Sequence, residues 1–320
     1  MLRTDNLGAR VKLRHLQILM AVAQSGSMAK AANSLSISHP VISKAIAELE
    51  QTLGVRLFDR GSQGVEPTMY GRALVRCGVA VFDELQQGLR QVGFLADPTV
   101  GQLRIGAGEA MAAGLVPAIA ERLLRQFPKL ILDAAHADTG TLQYRELRER
   151  QVELMVGRIP TPFGQDDLRA ETLFDEQLLV AAGMQSPWAR RRRIELSELI
   201  NEPWVLAPSE SLPGQLYEET FGMSGLAVPR PSVVTLSIHL CSTMVATGRF
   251  VALLPGSLLR LAAKRLSLSI LPVELPSLPR PVGIITVKNR TLSPFAERFI
   301  ECAREVAKSL AASGRRLRSS

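Results

Sequence analysis

The stretch Ser27–Glu50, SMAKAANSLSISHPVISKAIAELE, constrains the fold more than any other part of the chain, because a strongly helical sequence breaks once, at SISHP, and immediately resumes. Before it, Leu13, Leu16, Leu19, Met20 and Ala23 recur at three- and four-residue spacing and predict an amphipathic helix that stops at QSGS. Ser27 is placed to cap a second helix, MAKAANSL, whose alanines allow close helix approach. Ser38 is expected to cap a third, with Pro40 in its first turn, where the missing N–H removes no helical bond. This third helix should run from about His39 to Leu53, burying Val41, Ile42, Ala45, Ile46 and Leu49 and presenting His39, Ser43, Lys44 and Ala47. Two short helices joined by a tight turn make a helix-turn-helix, whose second helix enters the major groove.

The next segment, LGVRLFDRGSQGVEPT, reads as a strand VRLFDR, a turn and a return strand, a hairpin wing. The predicted DNA-binding residues are Ser27 and Ser38 at the helix starts, with His39, Pro40 and Ser43 facing base edges. Lys30, Lys44, Arg56 and Arg60 are cations for phosphates or the minor groove. The competing reading is a plain helical bundle with solvated serines, and either arginine alone could equally form a surface ion pair.

From LRHLQILMAVAQS through SGSMAKAA, SISHPVISKAIAELE and LGVRLFDR to PTMYG, the order and spacing resemble the winged helix-turn-helix of the LysR-type transcriptional regulators over nearly sixty residues. His39 stands where that family commonly has glutamine, so the donor and acceptor set facing a base differs. The resemblance implies promoter double-stranded DNA and a small-molecule effector as partners, with RNA polymerase as a candidate third.

From Pro67 a long helical pattern carries Leu74, Val81, Leu85, Leu89 and Val92 on one side. That stripe needs either the protein's own core or a second subunit. The resemblance implies the latter, an antiparallel dimerisation helix, with further assembly to a homotetramer.

Beyond Asp97 and Pro98 strands and helices alternate: GQLRIGAG, LVPAIAERLLRQFP, KLILDAAHA, LQYRELRER and VELMVGRI, then QLLVAAG, WVLAP, PGQLYEETFG, SVVTLS, a helix near 238–247, FVALLP, PVGIITVKN and a helix from Pro294. Alternation of this kind predicts parallel sheets with helices on their faces. The expected fold class is a multidomain α+β chain: an N-terminal winged helix-turn-helix over 11–68, a linker helix over 69–97 and a two-lobed α/β effector domain, like periplasmic binding proteins, over 98–312. Lobe I should take about 98–170 and 270–312, lobe II about 171–269, with flexible tails at 1–10 and 313–320.

Open α/β sheets bind ligands at the carboxyl ends of their strands. The effector-binding candidates are therefore Gly108, Glu109 and Ala110 after the first strand, Thr139 and Thr141 after the second, Arg158 in GRIP, and Ser209 and Ser211 in APSESLPG. Helix N-termini there suit an organic acid or other small polar metabolite. Each residue could equally be an ordinary cap or surface side chain. Glu109 replaces the small hydroxyl residue frequent in the family, so either an anion is repelled and the ligand is polar or cationic, or Glu109 faces outward. Arg150 replaces a common glycine before VELMV, and GRF at 248–250 stands where a G-x-G turn is frequent.

Charge adds little to this reading. The formal net charge is +8, but Lys/Arg number 11 against 8 Asp/Glu in residues 1–97 and 27 against 22 beyond, and the run Arg190–Arg193 reads as a solvated face. Cys77, Cys241 and Cys302 are far apart and odd in number, which argues against disulfides and fits a reducing cytoplasm. The apolar run Ile18–Ala23 is too short for a signal peptide, no stretch approaches a membrane span, and no membrane partner is expected.

Catalysis, metals and cofactors are not expected. Met111 occupies the third glycine position of a dinucleotide fingerprint in GAGEAM, and His15, His39, His136 and His239 lack metal-ligand spacing. There is no Gly-x-Ser-x-Gly elbow. A transport-type solute receptor would match the second half alone, and the winged head separates that reading from a regulator.

Overall fold

A computed structural model of the chain describes residues 10–61, 64–137, 144–276 and 280–316. The chain divides into two compact units, residues 1–89 and 90–320.

In the first unit, α1 (Leu13–Ser25), α2 (Met28–Ser34) and α3 (His39–Leu53) pack around Leu19, Val22, Ala31, Ile42 and Ile46, all fully buried. The Ser27 hydroxyl accepts the Lys30 N–H at 3.4 Å, as its position predicts. Ser38 behaves differently: it is the N-cap of α3, yet its hydroxyl makes no cap bond. The cause is Pro40, which has no N–H to give, while the next free N–H, of Val41, is taken by the Ser38 carbonyl at 3.0 Å. Val41, expected inside, is 39% exposed. The stripe Ile42, Ala45, Ile46 and Leu49 fills the inner arc at spacings of three and four, and Val41 falls about 40° beyond Ala45, just outside that arc.

The wing pairs β1 (Phe58–Gly61) with β2 (Gly64–Pro67), antiparallel, with Phe58 opposite Pro67. It is shorter than the strand expected from Val55. The Leu57 and Phe58 amides donate instead to the Glu50 carboxylate, at 2.7 and 3.3 Å, which ties the wing to α3. The Val65 amide donates to the Gly26 carbonyl at 2.9 Å, and a Cβ on Gly64 would lie 2.6 Å from that oxygen. Next, α4 (Met69–Ala96) packs Leu74 and Val75 on the head core but leaves Leu85, Leu89, Val92 and Leu95 exposed.

The second unit continues with β3 (Val100–Ala107), α5 (Glu109–Ala113), α6 (Leu115–Gln126), β4 (Lys129–His136), α7 (Arg145–Arg148), β5 (Leu154–Arg158), β6 (Leu168–Glu176) and β7 (Leu178–Gly183). Then come β8 (Trp204–Leu206), α8 (Leu212–Met223), β9 (Pro231–Val234), α9 (Ile238–Ala246), β10 (Val251–Pro255), α10 (Gly256–Ala262), β11 (Leu268–Ile270), β12 (Arg280–Val287) and α11 (Pro294–Arg316). The helical pattern of LQYRELRER yields only the single turn α7, with Leu142 and Gln143 outside the described residues; α5, expected as a loop, and β6, α10 and β11 have no counterpart among the elements expected from the sequence.

Two five-stranded sheets form, ordered β4-β3-β5-β12-β6 and β11-β7-β10-β8-β9. Neither is purely parallel as expected. β12 runs antiparallel to β5 and β6, and β7 runs antiparallel to β10 and β11, while the remaining pairs are parallel. The reason is topological. A chain leaving one sheet at a strand's carboxyl end and stepping straight into the other enters it from the shared side, against the direction of its neighbours. Only Gln177 separates β6 from β7, so the first crossing falls there, not near residue 170. Similarly, α11 continues to Arg316, past the expected boundary at 312.

Leu103, Ile105, Leu115, Ile119 and Phe299 form the core of the first sheet and its helices; Trp204, Phe221 and Leu253 belong to that of the second. Arg150, the residue in the family's glycine position, sits just past α7 with φ 56°, in the left-handed region that helix ends usually assign to glycine. A β-branched residue is worse still there, so Arg150→Val should lower the melting temperature of the full-length protein by several degrees, on the order of 1–2 kcal/mol, whereas Arg150→Gly should not. Differential scanning calorimetry checks both.

Candidate nucleic-acid interface and ligand cleft

Burial of the Ile42–Leu49 stripe leaves the opposite face of α3 in water. Ser38, His39, Pro40 and Lys44 are exposed and Ser43 is half-buried, with His39 and Ser43, and Pro40 and Lys44, each four residues apart and so on one side. The Lys44 side chain is 80% exposed, with Glu48 at 4.0 Å, and Glu48 also meets His15 Nε2 of α1 at 3.5 Å. Lys30 on α2 and Arg56 before the wing are exposed as well; Ser27 is half-buried and committed to its cap. Arg60 lies opposite Val65 in the wing, and its side chain is outside the described residues. Of the predicted nucleic-acid residues, Lys30, Ser38, His39, Pro40, Lys44 and Arg56 are thus exposed, and the first turn of α3 carries no carboxylate.

In the second unit the residues predicted for the ligand come together only in part. Glu109 opens α5 at the carboxyl end of β3, and its Oε1 accepts the Ile238 N–H at 3.2 Å, the first amide of α9 in the other lobe. Ser237 caps the same helix, accepting the Leu240 N–H at 3.3 Å, and Thr235 Oγ1 accepts the Ser237 N–H at 3.0 Å. A carboxylate of the protein itself therefore occupies the positive end of α9, where an external anion would otherwise bind. Glu109 is exposed and at the same time bonded to the opposite lobe. Gly108 and Ala110 flank it, half-buried.

The other candidates lie elsewhere. Ser211 is spent on its own helix, accepting the Gly214 N–H at 3.2 Å and donating to the Pro208 carbonyl at 2.5 Å. Ser209 lines a cavity of about 440 Å³ with Pro208, Glu210, Tyr217 and Val234. Arg158 ends β5 in a separate cavity beside Glu176 and Arg280. Thr139 and Thr141 fall outside the described residues. Thr235, Ser237 and the Ile238 amide were missed by the sequence reading, although Thr-x-Ser before a helix is a capping signal.

No reactive nucleophile emerges from the two buried thiols. Burial pushes Cys241 up to about 12 and also raises Cys302, so both remain protonated near neutrality. Burial likewise raises Tyr217, whose hydroxyl donates to the Leu253 carbonyl at 3.0 Å. Among the described residues, no cluster of three or more His, Cys, Asp or Glu could hold a metal, and no helix is long and apolar enough to cross a membrane. Arg191 and Arg193 of the arginine run pair with Glu198 and Glu195 on the surface.

Because Glu109 supplies the acceptor for the Ile238 amide, Glu109→Ala should speed hydrogen exchange at Ile238 about tenfold, the loss of one hydrogen bond's net worth, while leaving the Leu240 amide, held by Ser237, unchanged. Site-resolved exchange measures both.

Comparison with known proteins adds independent findings. Residues 13–72 match the family described as "Bacterial regulatory helix-turn-helix protein, lysR family", and residues 96–308 match "LysR substrate binding domain". The HTH-type transcriptional regulator GbpR of Azospirillum brasilense is 29% identical over 299 residues, covering 93% of this chain and 87% of its own. A full-length OxyR variant from Pseudomonas aeruginosa superposes with a TM-score of 0.62 at 23% identity, covering 93% of this chain and 95% of the other. Full-length CbnR complexed with its target DNA gives 0.60 at 21% identity, covering 92% and 100%. These two structural likenesses concern the fold alone.

Proposed function

The chain belongs to the LysR family of bacterial transcriptional regulators, a ligand-responsive DNA-binding protein, and we propose that it reads promoter DNA through the first turns of α3 and senses a small polar metabolite between its lobes. The observation that carries this is the division of α3 into a fully buried apolar stripe and an exposed face bearing His39, Ser43 and Lys44. On that reading His39 and Ser43 contact base edges, Pro40 packs on a thymine methyl, and Lys30, Lys44, Arg56 and Arg60 neutralise phosphates. Ser27 positions α2 through its cap bond, and the exposed Ser38 hydroxyl at the start of α3 is offered to the DNA.

The effector would enter at Gly108, Glu109 and Ala110, opposite the start of α9, with Thr139 and Thr141 as the hydroxyl candidates the sequence offers. It either displaces the Glu109 carboxylate from the Ile238 amide or binds it through a cationic or hydroxyl group. Ligand would then alter the angle between lobes, which requires different affinity for the two arrangements. We place the protein in the cytoplasm, as a homodimer through α4 that assembles further to a tetramer, with RNA polymerase as a downstream partner and no catalytic activity. The exposed run Leu85, Leu89 and Val92 supports pairing through α4, since an apolar helical stripe calls for a partner surface.

Binding to the DNA upstream of its own gene tests the first claim. Lys44→Ala should weaken binding evenly across sequences and reduce the salt slope by about 1, whereas Ser43→Ala should relax discrimination at one base pair, about 1–3 kcal/mol. Equal affinity for scrambled DNA at every salt concentration would sink the proposal. Sedimentation of Leu89→Glu should show dissociation at concentrations where the unmodified protein remains assembled.

A further inference from the structure

The two crossings between the lobes meet at a small cavity that the effector proposal does not use. Its walls come from both sheets and from α8: Arg158 ends β5, Glu176 and Leu178 flank the first crossing at Gln177, Arg280 opens β12 after the second, and Glu219 and Thr220 lie on α8. About 20 Å³ is open to the centre of a water-sized particle, room for about one.

The buried carboxylate in this cavity is committed, and two of the arginine donors are not. Glu176, 2% exposed, accepts the Ser257 N–H at 3.0 Å and the Gln177 N–H at 3.2 Å through Oε1, while its Oε2 accepts the Ser257 hydroxyl. Glu219 is paired with Arg280 Nη2. The Thr220 hydroxyl donates to the Leu216 carbonyl at 2.7 Å, within its own helix. By contrast, Arg158 Nη1 and Arg280 Nε are buried and reach no acceptor among the described residues, although the outer part of the Arg280 side chain is exposed. Two guanidinium groups at one cavity, each with a buried N–H lacking an acceptor, are costly unless an acceptor bridges them. Burial, with the like charge of Arg280, outweighs the attraction of Glu176 and holds Arg158 below its usual value.

We propose that this cavity is a binding site for a small monovalent anion, of halide or formate size, held between Arg158 and Arg280. Such an anion would join β5, both crossings and α8 at once, so its occupancy would favour one angle between the lobes. It is distinct from the cleft at Glu109, and its test does not depend on DNA or on the metabolite effector.

The test is thermal unfolding of the full-length protein in sodium bromide, formate or butyrate, against sodium gluconate at equal ionic strength. Bromide and formate should raise the melting temperature saturably over gluconate, by about 2–4 °C at tenfold excess over Kd. Arg158→Met and Arg280→Met should each abolish that difference, and Glu109→Ala should retain it. If butyrate matches formate, the anion is the head of a larger carboxylate entering from outside; if only bromide and formate act, it is a free ion. Crystals grown in bromide should show an anomalous peak within hydrogen-bond reach of Arg158 Nη1, a readout that holds even if Arg158→Met fails to fold. No difference between bromide and gluconate, or an equal bromide response in both arginine variants, would mean that water alone satisfies the guanidinium groups and would overturn the proposal.

Discussion

Burial of Ile42, Ala45, Ile46 and Leu49 against α1 and α2 is the interaction on which the head depends. A helix of fifteen residues has one side to give to a core, and once that stripe is inside, His39 and Lys44 are left in water, with Ser43 half-buried at the margin. The surrounding polar bonds keep that orientation. Glu50 takes two amides from the wing, and Gly64 allows β2 to approach the turn after α1 closely enough for the Val65 amide to reach Gly26. A buried apolar face thus positions an exposed polar one.

The sensing half obeys a different constraint. Its sheets are joined by two short crossings, so each carries one strand that runs against its neighbours, and the carboxyl ends of the remaining strands face the space between lobes. Groups delivered to that space meet residues distant in sequence, as Glu109 meets Ile238. The polar accounting then differs from place to place. At α9 a protein carboxylate satisfies the helix end, whereas near the crossings the carboxylates are committed and arginine donors are left over.

Much of the fold was legible from the residues. Period and caps located α1 to α3, and the hairpin followed from its glycines. Most strands of the second half read correctly as short apolar runs, because local pattern is strong where one face is buried and the other is not. The elements that escaped, α5, β6, α10 and β11, lack a clean period or are too short to show one. The antiparallel strands escaped for another reason: direction in a sheet is a property of connections, not of composition. Val41 shows the limit of periodicity, since an apolar residue next to a stripe reads as part of it until packing assigns the arc.

By itself the sequence determined the helix-turn-helix, the wing and the exposed face of α3, because each rests on contacts between residues near in the chain. It also carried the glycine-position departure at Arg150, whose left-handed backbone the structure displays. Only the tertiary structure decided that Glu109 caps α9, that Ser211 serves its own helix, and that Arg158 stands beside Arg280 in a cavity apart from the cleft. The partners in question are separated by 129 residues for Glu109 and Ile238, and by the whole second lobe for Arg158 and Arg280. Which hydrogen bonds are made across such distances depends on how the chain crosses between sheets, and no local pattern records that.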